Sequence, residues 1–288
     1  MKILPFRELL NTYDHFLLDA YGVFWGSAAT GMLPGAKEAM ECLISLGKTV
    51  GILSNTTQLA LKEKDKLSKH GVCEGTHYHF LLTSGEIART MLQSQELPFP
   101  TPRKRYWLFG SDHPRFSSHS TLFQDTAYCR TDNLQDADFI YIAIPHFDGV
   151  DQENLEVFVS HVKEIAAKGI PVLCANPDHF AHEGMPPRPV VRQGAIAQLL
   201  KTYGASVYFI GKPHPIVFER ALKQFSVSPN QVLMIGDTPE TDIRGARQMN
   251  MATALVTKTG IIKERGPAAL HQLLQTDQPD HFIESFTL

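Results

Sequence analysis

Four stretches of this sequence place polar residues where an apolar run stops. Asp19 follows Phe16-Leu17-Leu18 and precedes Ala20-Tyr21-Gly22, and Ser54-Asn55-Thr56 ends the run Val50-Gly51-Ile52-Leu53. Gly211-Lys212-Pro213 ends Val207–Ile210, and Gly236-Asp237-Thr238-Pro239-Glu240-Thr241-Asp242 ends Val232–Ile235. Ligands of open α/β sheets bind outside the carboxyl ends of the strands, so these are the positions where chemistry belongs. Taken singly, each has a plain local role. A Ser-Asn pair makes a turn or cap, Gly-Lys-Pro makes a turn, and Thr241 can cap a following helix. Asp19 is the least ordinary, because an unpaired carboxylate beside a core is costly. Together the stretches supply several carboxylates, one ammonium, and hydroxyl and amide donors.

The elements that must position these residues alternate along the chain. Phe16–Phe24 leads to a helical pattern over Pro34–Leu46, with Pro34 at the favoured first helical position. Thr49–Asn55 leads to a Lys-rich amphipathic stretch ending at Gly71, and Phe80–Thr83 leads to Ser84–Leu92 with Ser84 as N-cap. Near the other end, Val207–Ile210, Gln231–Asp237 and Met251–Thr257 are short apolar strands separated by helices. Such alternation predicts a parallel sheet covered on both faces. Between two proline clusters, Pro98/Pro100/Pro102 and Pro186/Pro187/Pro189, lie the strand candidates Arg105–Gly110, Asp138–Ile144 and Pro171–Asn176 and a helix at about Asp151–Lys168. They form a second α/β unit; tandem and inserted arrangements would both show this alternation.

Composition narrows the function classes. With 288 residues the chain suits two domains, and 43% hydrophobic and 20% charged residues are ordinary globular usage. The net charge is −3 and the longest basic cluster is Arg103-Lys104-Arg105, which gives no footprint for nucleic acid. No apolar run approaches the length of a membrane span, and the N-terminus has no secretory pattern, so the expectation is a cytoplasmic protein without a membrane partner. The four cysteines have neither zinc nor disulfide spacing; Cys42 and Cys174 read as small buried hydrophobes.

The order Asp-x-x-Gly, hydrophobic-Ser-Asn, Gly-Lys-Pro, Gly-Asp-x-x-x-Thr-Asp resembles the four motifs of the haloacid dehalogenase (HAD) superfamily. Leu33-Pro34-Gly35-Ala36, Thr83-Ser84-Gly85, Ala175-Asn176-Pro177-Asp178 and Gly211-Lys212-Pro213-His214-Pro215 are similar to its class IIA, NagD-like or p-nitrophenylphosphatase branch. The resemblance implies an α/β fold, with a Rossmann-like doubly wound parallel sheet as the core (1–84 and 205–288) and an inserted α/β cap domain of C2 type (85–204). It implies a phosphatase-type hydrolase for a small phosphorylated metabolite, and pairing of two chains through the cap. Asp19 would be the nucleophile, passing through an aspartyl-phosphate. Magnesium, which prefers oxygen ligands, would be held by Asp19, the backbone carbonyl of Tyr21 and Asp237, with Asp242 close behind. Lys212 would balance the carboxylates and touch the phosphoryl group. Ser54 and the amides of Asn55 and Thr56 would bind phosphoryl oxygens at a helix N-terminus.

The sequence departs from that pattern at Tyr21, where phosphatases of the superfamily carry a general acid–base Asp. A tyrosine is a poor base at neutral pH, and acid–base help is typically worth about 10²–10⁴-fold. The expectation is weak hydrolysis of alkyl phosphates, the alternative being a catalytically inactive, phosphometabolite-binding descendant. Asp-Ala-Tyr-Gly also resembles motif one of the 2-haloacid dehalogenases, but those lack the metal-holding pattern that Asp237 and Asp242 supply. Among other candidates, His77-x-His79 and His179-x-x-His182 are the closest histidine pairs, and neither has a cysteine at zinc spacing. His214 adjoins the proposed site and could aid proton transfer. Trp25, just after motif one, is expected to seal the cap interface. Ser111-Asp112-His113 and Asn176-Pro177-Asp178 would face the substrate from the cap, and Gly194-Ala195 loosely matches a Gly-rich turn.

Overall fold

The computed structural model describes residues 2–26, 30–110, 112–114, 116, 118–183 and 188–288. Ser111, Pro186 and Pro187 lie outside the described residues, as does the side chain of His182. The chain divides into two compact units. The first comprises Met1–Ser54, Ala60–Leu82 and Lys212–Leu288; the second comprises Asn55–Leu59 and Thr83–Gly211.

The first unit is built on a seven-stranded sheet. Its order is Ile3–Leu4, His281–Ile283, Ala252–Val256, Val232–Gly236, His15–Leu18, Thr49–Ser54, Phe80–Thr83. The pairings from Ile3–Leu4 across to Thr49–Ser54 are parallel. Val232–Gly236 is buried at all five positions, the continuous apolar pattern of a strand covered on both faces. Phe16, Leu18, Ile52, Leu233 and Ile235 enter one core with helix Ala36–Ser45, through Ala36, Ala39, Met40 and Leu43. Sheet order reverses between His15–Leu18 and Val232–Gly236, and the register pairs Leu18 with Ile235. The residues that follow both strands therefore emerge side by side at the carboxyl edge, at the switch point where α/β sheets hold ligands.

The second unit has its own parallel sheet, ordered Val207–Phe209, Val172–Cys174, Phe139–Ile142, Arg105–Phe109, Cys129–Arg130. Ile140, Ile142, Val172 and Cys174 pack with Ile196 and Leu200 of helix Gln193–Thr202. Two antiparallel hairpins, His146–Phe147 with Val150–Asp151 and Phe180–Glu183 with Arg188–Val191, complete it.

Several expectations shift by a few residues. Pro34 does not open its helix: Gly35 is the N-cap at φ +77°, and the helix runs Ala36–Ser45. Thr83, not Ser84, caps helix Ser84–Ser94, its side chain accepting from the Glu86 amide at 2.9 Å. The helix expected from Asp151 is Val159–Ala166, preceded by a 3₁₀ turn at Leu155–Phe158, because Asp151 is held in a hairpin. Cys174 is buried, whereas Cys42 is only half-buried. The contact boundaries fall at Leu82/Thr83 and Gly211/Lys212, where the sequence suggests 84/85 and 204/205. Val207–Phe209 pairs with Val172–Cys174, which carries the second unit on to Gly211. Among the described residues no helix is long and apolar enough to cross a membrane.

Burial along the central strand sets a stability expectation. Ile235 is fully buried whereas Leu61 is 71% exposed. Ile235→Ala should cost about 2–5 kcal/mol, through lost transfer energy and a residual cavity, and Leu61→Ala should stay within about 0.5 kcal/mol. Urea unfolding of the two variants checks the contrast.

Candidate active site

Four residues converge at the carboxyl edge of the first unit's sheet. Asp19 leaves strand His15–Leu18 with its amide still on Ile235 O at 2.9 Å, so the ladder itself fixes the position of the carboxylate. Asp237 follows Val232–Gly236, and Asp242 returns to it through a π-helical turn, Pro239–Ile243, a distortion common at functional sites. Asp19, Asp237 and Asp242 each offer a carboxylate oxygen, and the three oxygens lie within 4.8 Å of one another. Lys212 opens the chain's return into this unit and is 2% exposed. Its Nζ lies 2.5 Å from Asp19 Oδ1 and 2.8 Å from Asp242 Oδ1, and donates to Leu53 O at 3.0 Å.

The surrounding chain holds each carboxylate in place. Asp242 Oδ2 accepts from the amides of Asp237 (3.1 Å) and Thr238 (3.0 Å). Asp237 Oδ1 accepts from Thr238 Oγ1 at 2.8 Å and its Oδ2 from the Ile261 amide at 2.8 Å. Glycines make room for this packing. A Cβ on Gly22 (φ +74°) or on Gly260 (φ +60°) would fall 2.3 or 2.1 Å from Asp237 Oδ2. Thr259 Oγ1 donates to Gly22 O at 2.5 Å, tying the two glycine-bearing turns together.

Three acidic groups against one ammonium leave this buried site with excess negative charge. Burial is the largest influence on Asp19 and pushes its carboxyl up to about 7 against the downward pull of Lys212. Asp237 is raised well above the usual carboxylate range, by burial first and then by Asp19 and Asp242. Burial alone would lower the Lys212 ammonium, but Asp19 and Asp242 outweigh it and hold it above its ordinary value. A buried, all-oxygen set with surplus negative charge suits a hard divalent cation such as magnesium.

Tyr21 lies two residues beyond Asp19, and its hydroxyl donates to Glu264 Oε1 at 2.7 Å. Burial, this hydrogen bond and the charges of Glu264 and Asp237 raise its pKa, so the phenol stays protonated at neutral pH. Ser54 is the last residue of its strand in the first unit, whereas Asn55 and Thr56 cluster with the second. The expected helix N-terminus is not there. The next helix starts at Ala60, and Thr56 and Asn55 lie in the intervening loop, where Thr56 Oγ1 accepts from the Gln58 amide.

Other candidates take structural places. Trp25 packs edge-on against His70 at 4.8 Å, with Lys66 Nζ 5.0 Å from its ring centre, both within the first unit. His77 bonds Cys73 and Glu41, and His79 Nδ1 accepts from the Val50 amide. His214 stands at the N-cap of helix Pro215–Phe225 without a side-chain cap bond. In the second unit, Asp112 pairs with His119 at 2.8 Å and His113 lies 3.3 Å from Asp151. Gly194 is the second residue of helix Gln193–Thr202, not part of a free turn. The sequence reading missed Thr259, Gly260, Ile261 and Glu264. The rule that found Asp237, polar residues at the end of an apolar run, applies equally to Ala252–Val256 and points to Thr259-Gly260.

Comparison with known proteins agrees with this arrangement. Residues 16–119 match the family model of haloacid dehalogenase-like hydrolases, and residues 209–287 match a second, HAD-hydrolase-like model. The chain is 26% identical to chronophin of Bos taurus over 293 residues, covering 97% of this chain and 93% of that protein. It is 24% identical to the 4-nitrophenylphosphatase of Schizosaccharomyces pombe, over 97% and 94% of the two chains. The crystal structure of 4-nitrophenylphosphatase from Thermotoga maritima superposes with a TM-score of 0.69, at 23% identity and 96% coverage of both chains. The chain thus belongs to the haloacid dehalogenase-like hydrolases, and its similarity over nearly the whole chain is to proteins named phosphatases.

Proposed function

We propose that this protein is a magnesium-dependent phosphatase acting on a small phosphorylated metabolite through an aspartyl-phosphate. The observation that carries the reading is the buried convergence of Asp19, Asp237 and Asp242 on Lys212. Asp19 is the nucleophile. One of its carboxylate oxygens attacks phosphorus and the ester P–O bond breaks, the alkoxide leaving as the alcohol with a proton from solvent; water then cleaves the acyl phosphate, releasing inorganic phosphate and returning the carboxylate. Lys212 holds Asp19 in place and offsets charge on the phosphoryl group. Asp19, the carbonyl of Tyr21 and Asp237 would hold the magnesium ion, with Asp242 behind them. When bound, the ion supplies positive charge that lets a carboxylate approach a phosphate. Ser54 and the amides of Asn55 and Thr56 bind phosphoryl oxygens as fixed donors. The second unit, Thr83–Gly211 with Asn55–Leu59, serves as the cap that selects the substrate.

Tyr21 limits the rate. Its hydroxyl is engaged by Glu264 and its proton is held tightly, so it donates a hydrogen bond but does not serve as a base. The same observation favours a second reading, a protein that binds a phosphometabolite without turning it over. Leaving groups that depart without a proton, as in aryl phosphates, suffer least.

A phosphate-release screen over a panel of phosphometabolites should show activity that needs magnesium and is lost in Asp19→Asn; release that survives in Asp19→Asn refutes the nucleophile. Binding without release in the wild type selects the second reading. Tyr21→Asp should raise turnover of an alkyl phosphate by about 10-fold or more, and of p-nitrophenyl phosphate by less. Equal or lower rates on both substrates would remove Tyr21 as the limit.

A further inference from the structure

Five residues, Asn55–Leu59, cluster with the second unit although they follow the first unit's strand Thr49–Ser54. The reason is a network of specific bonds. Asn55 is 6% exposed, and its Nδ2 donates to Asp178 Oδ1 at 2.8 Å. Its Oδ1 accepts from Ser84 Oγ at 3.5 Å. The Gly85 amide donates to Thr56 O at 3.1 Å, and Thr83 Oγ1 donates to Gln58 O at 2.7 Å. Gly85 is obligatory here, since a Cβ would lie 2.1 Å from Thr57 O.

Asp178 is itself held by a near copy of this arrangement. Its amide donates to Asn176 Oδ1 at 2.9 Å, and its carbonyl accepts from the Gly194 amide at 3.0 Å. A Cβ on Gly194 would lie 1.9 Å from Pro177 O. In both cases a loop leaves a parallel strand, and the second residue of a helix, a glycine, donates its amide to a loop carbonyl. The loops meet at the Asn55–Asp178 bond, and Gly211 closes over them with its Cβ position 2.2 Å from Pro177 Cδ and 2.9 Å from Asn55 Oδ1. Asp178 is thus fixed on its own backbone and presents a rigid acceptor to Asn55.

We infer that Asp178 is a positioning residue for phosphoryl binding: by holding the Asn55 side chain it sets the direction of the Asn55 and Thr56 amides. This rests on the proposed function, which assigns those amides to the phosphoryl group. A hydrogen bond between an amide and a carboxylate, lost from a part-buried pair, is large enough to matter to an anion that depends on fixed donors.

The test measures the dissociation constant of inorganic phosphate by calorimetry on the full chain with magnesium, alongside that of magnesium alone. Asp178→Ala should weaken phosphate binding by about tenfold or more, with magnesium affinity unchanged because its proposed ligands lie in the first unit. Asp178→Asn, whose amide oxygen still accepts, should restore most of the affinity. Asn55→Ala, which keeps its backbone amide, should match the loss, and the double variant should be no worse than either single one. Phosphate affinity unchanged in folded Asp178→Ala, or lost in parallel with magnesium affinity, overturns the inference. If Asp178→Ala does not fold, wild-type affinity in Asn55→Ala overturns it. A wild type that binds magnesium but no phosphate removes the proposed function first, and the inference with it.

Discussion

The Lys212 ammonium sits, buried, among carboxylates, and most of the first unit's geometry follows from keeping it there. Removing one partner from a buried ion pair typically costs about 3–5 kcal/mol, because the other charge is left unpaired in low dielectric. Asp19 is anchored by the strand ladder, Asp242 by two amides, and Lys212 by the Leu53 carbonyl. None of these groups can drift without exposing another to an uncompensated environment. One cation does not balance three acids, however. Burial, joined by the repulsion of the neighbouring carboxylates, accordingly raises the carboxyls of Asp19 and Asp237.

Tyr21 is constrained in a different way. Two residues past Asp19, the Tyr21 hydroxyl is committed to an acidic partner, Glu264, from helix Gly260–Arg265. That pairing uses the phenol's donor capacity and resists its ionisation. The same helix region reaches Asp237 through the Ile261 amide, so the turn that helps hold one carboxylate also fixes Tyr21. One short helix thus anchors both the Asp237 carboxylate and the Tyr21 hydroxyl.

The principal carboxylates and Lys212 were legible in the sequence because a charged side chain that interrupts an apolar run leaves a local signal. Most expected strands were legible for the same reason, to within one or two residues, but Phe16–Phe24 shortens to His15–Leu18 and Ile3–Leu4, Cys129–Arg130 and His281–Ile283 were not foreseen. Partners were not. Tyr21 and Glu264 are 243 positions apart, and nothing in either neighbourhood names the other. Sheet membership was equally hidden: Val207–Phe209 reads as one more apolar strand, and only its pairing with Val172–Cys174 assigns it to the second sheet. Thr83 and Ser84 are both good caps by residue type, and backbone conformation decides between them, with Thr83 extended at φ −119°, ψ 153°. Ser54-Asn55-Thr56 stood out as a polar stretch ending an apolar run, but an Asn that reaches 123 positions forward for its partner leaves no trace in spacing.

The short Asn55–Leu59 segment also bears on how such a protein could exchange parts. The second unit is not a single insertion that two cuts would release, because the chain passes between units at Ser54/Asn55, Leu59/Ala60, Leu82/Thr83 and Gly211/Lys212. A recombination that replaced only Thr83–Gly211 would bring in a foreign residue at 178 while keeping the native Asn55, and the two would have to match by chance. Shuffling of this unit among relatives is therefore constrained by five residues that lie outside its contiguous stretch. A transplant that keeps this loop's conformation must also keep an acceptor for the Asn55 amide.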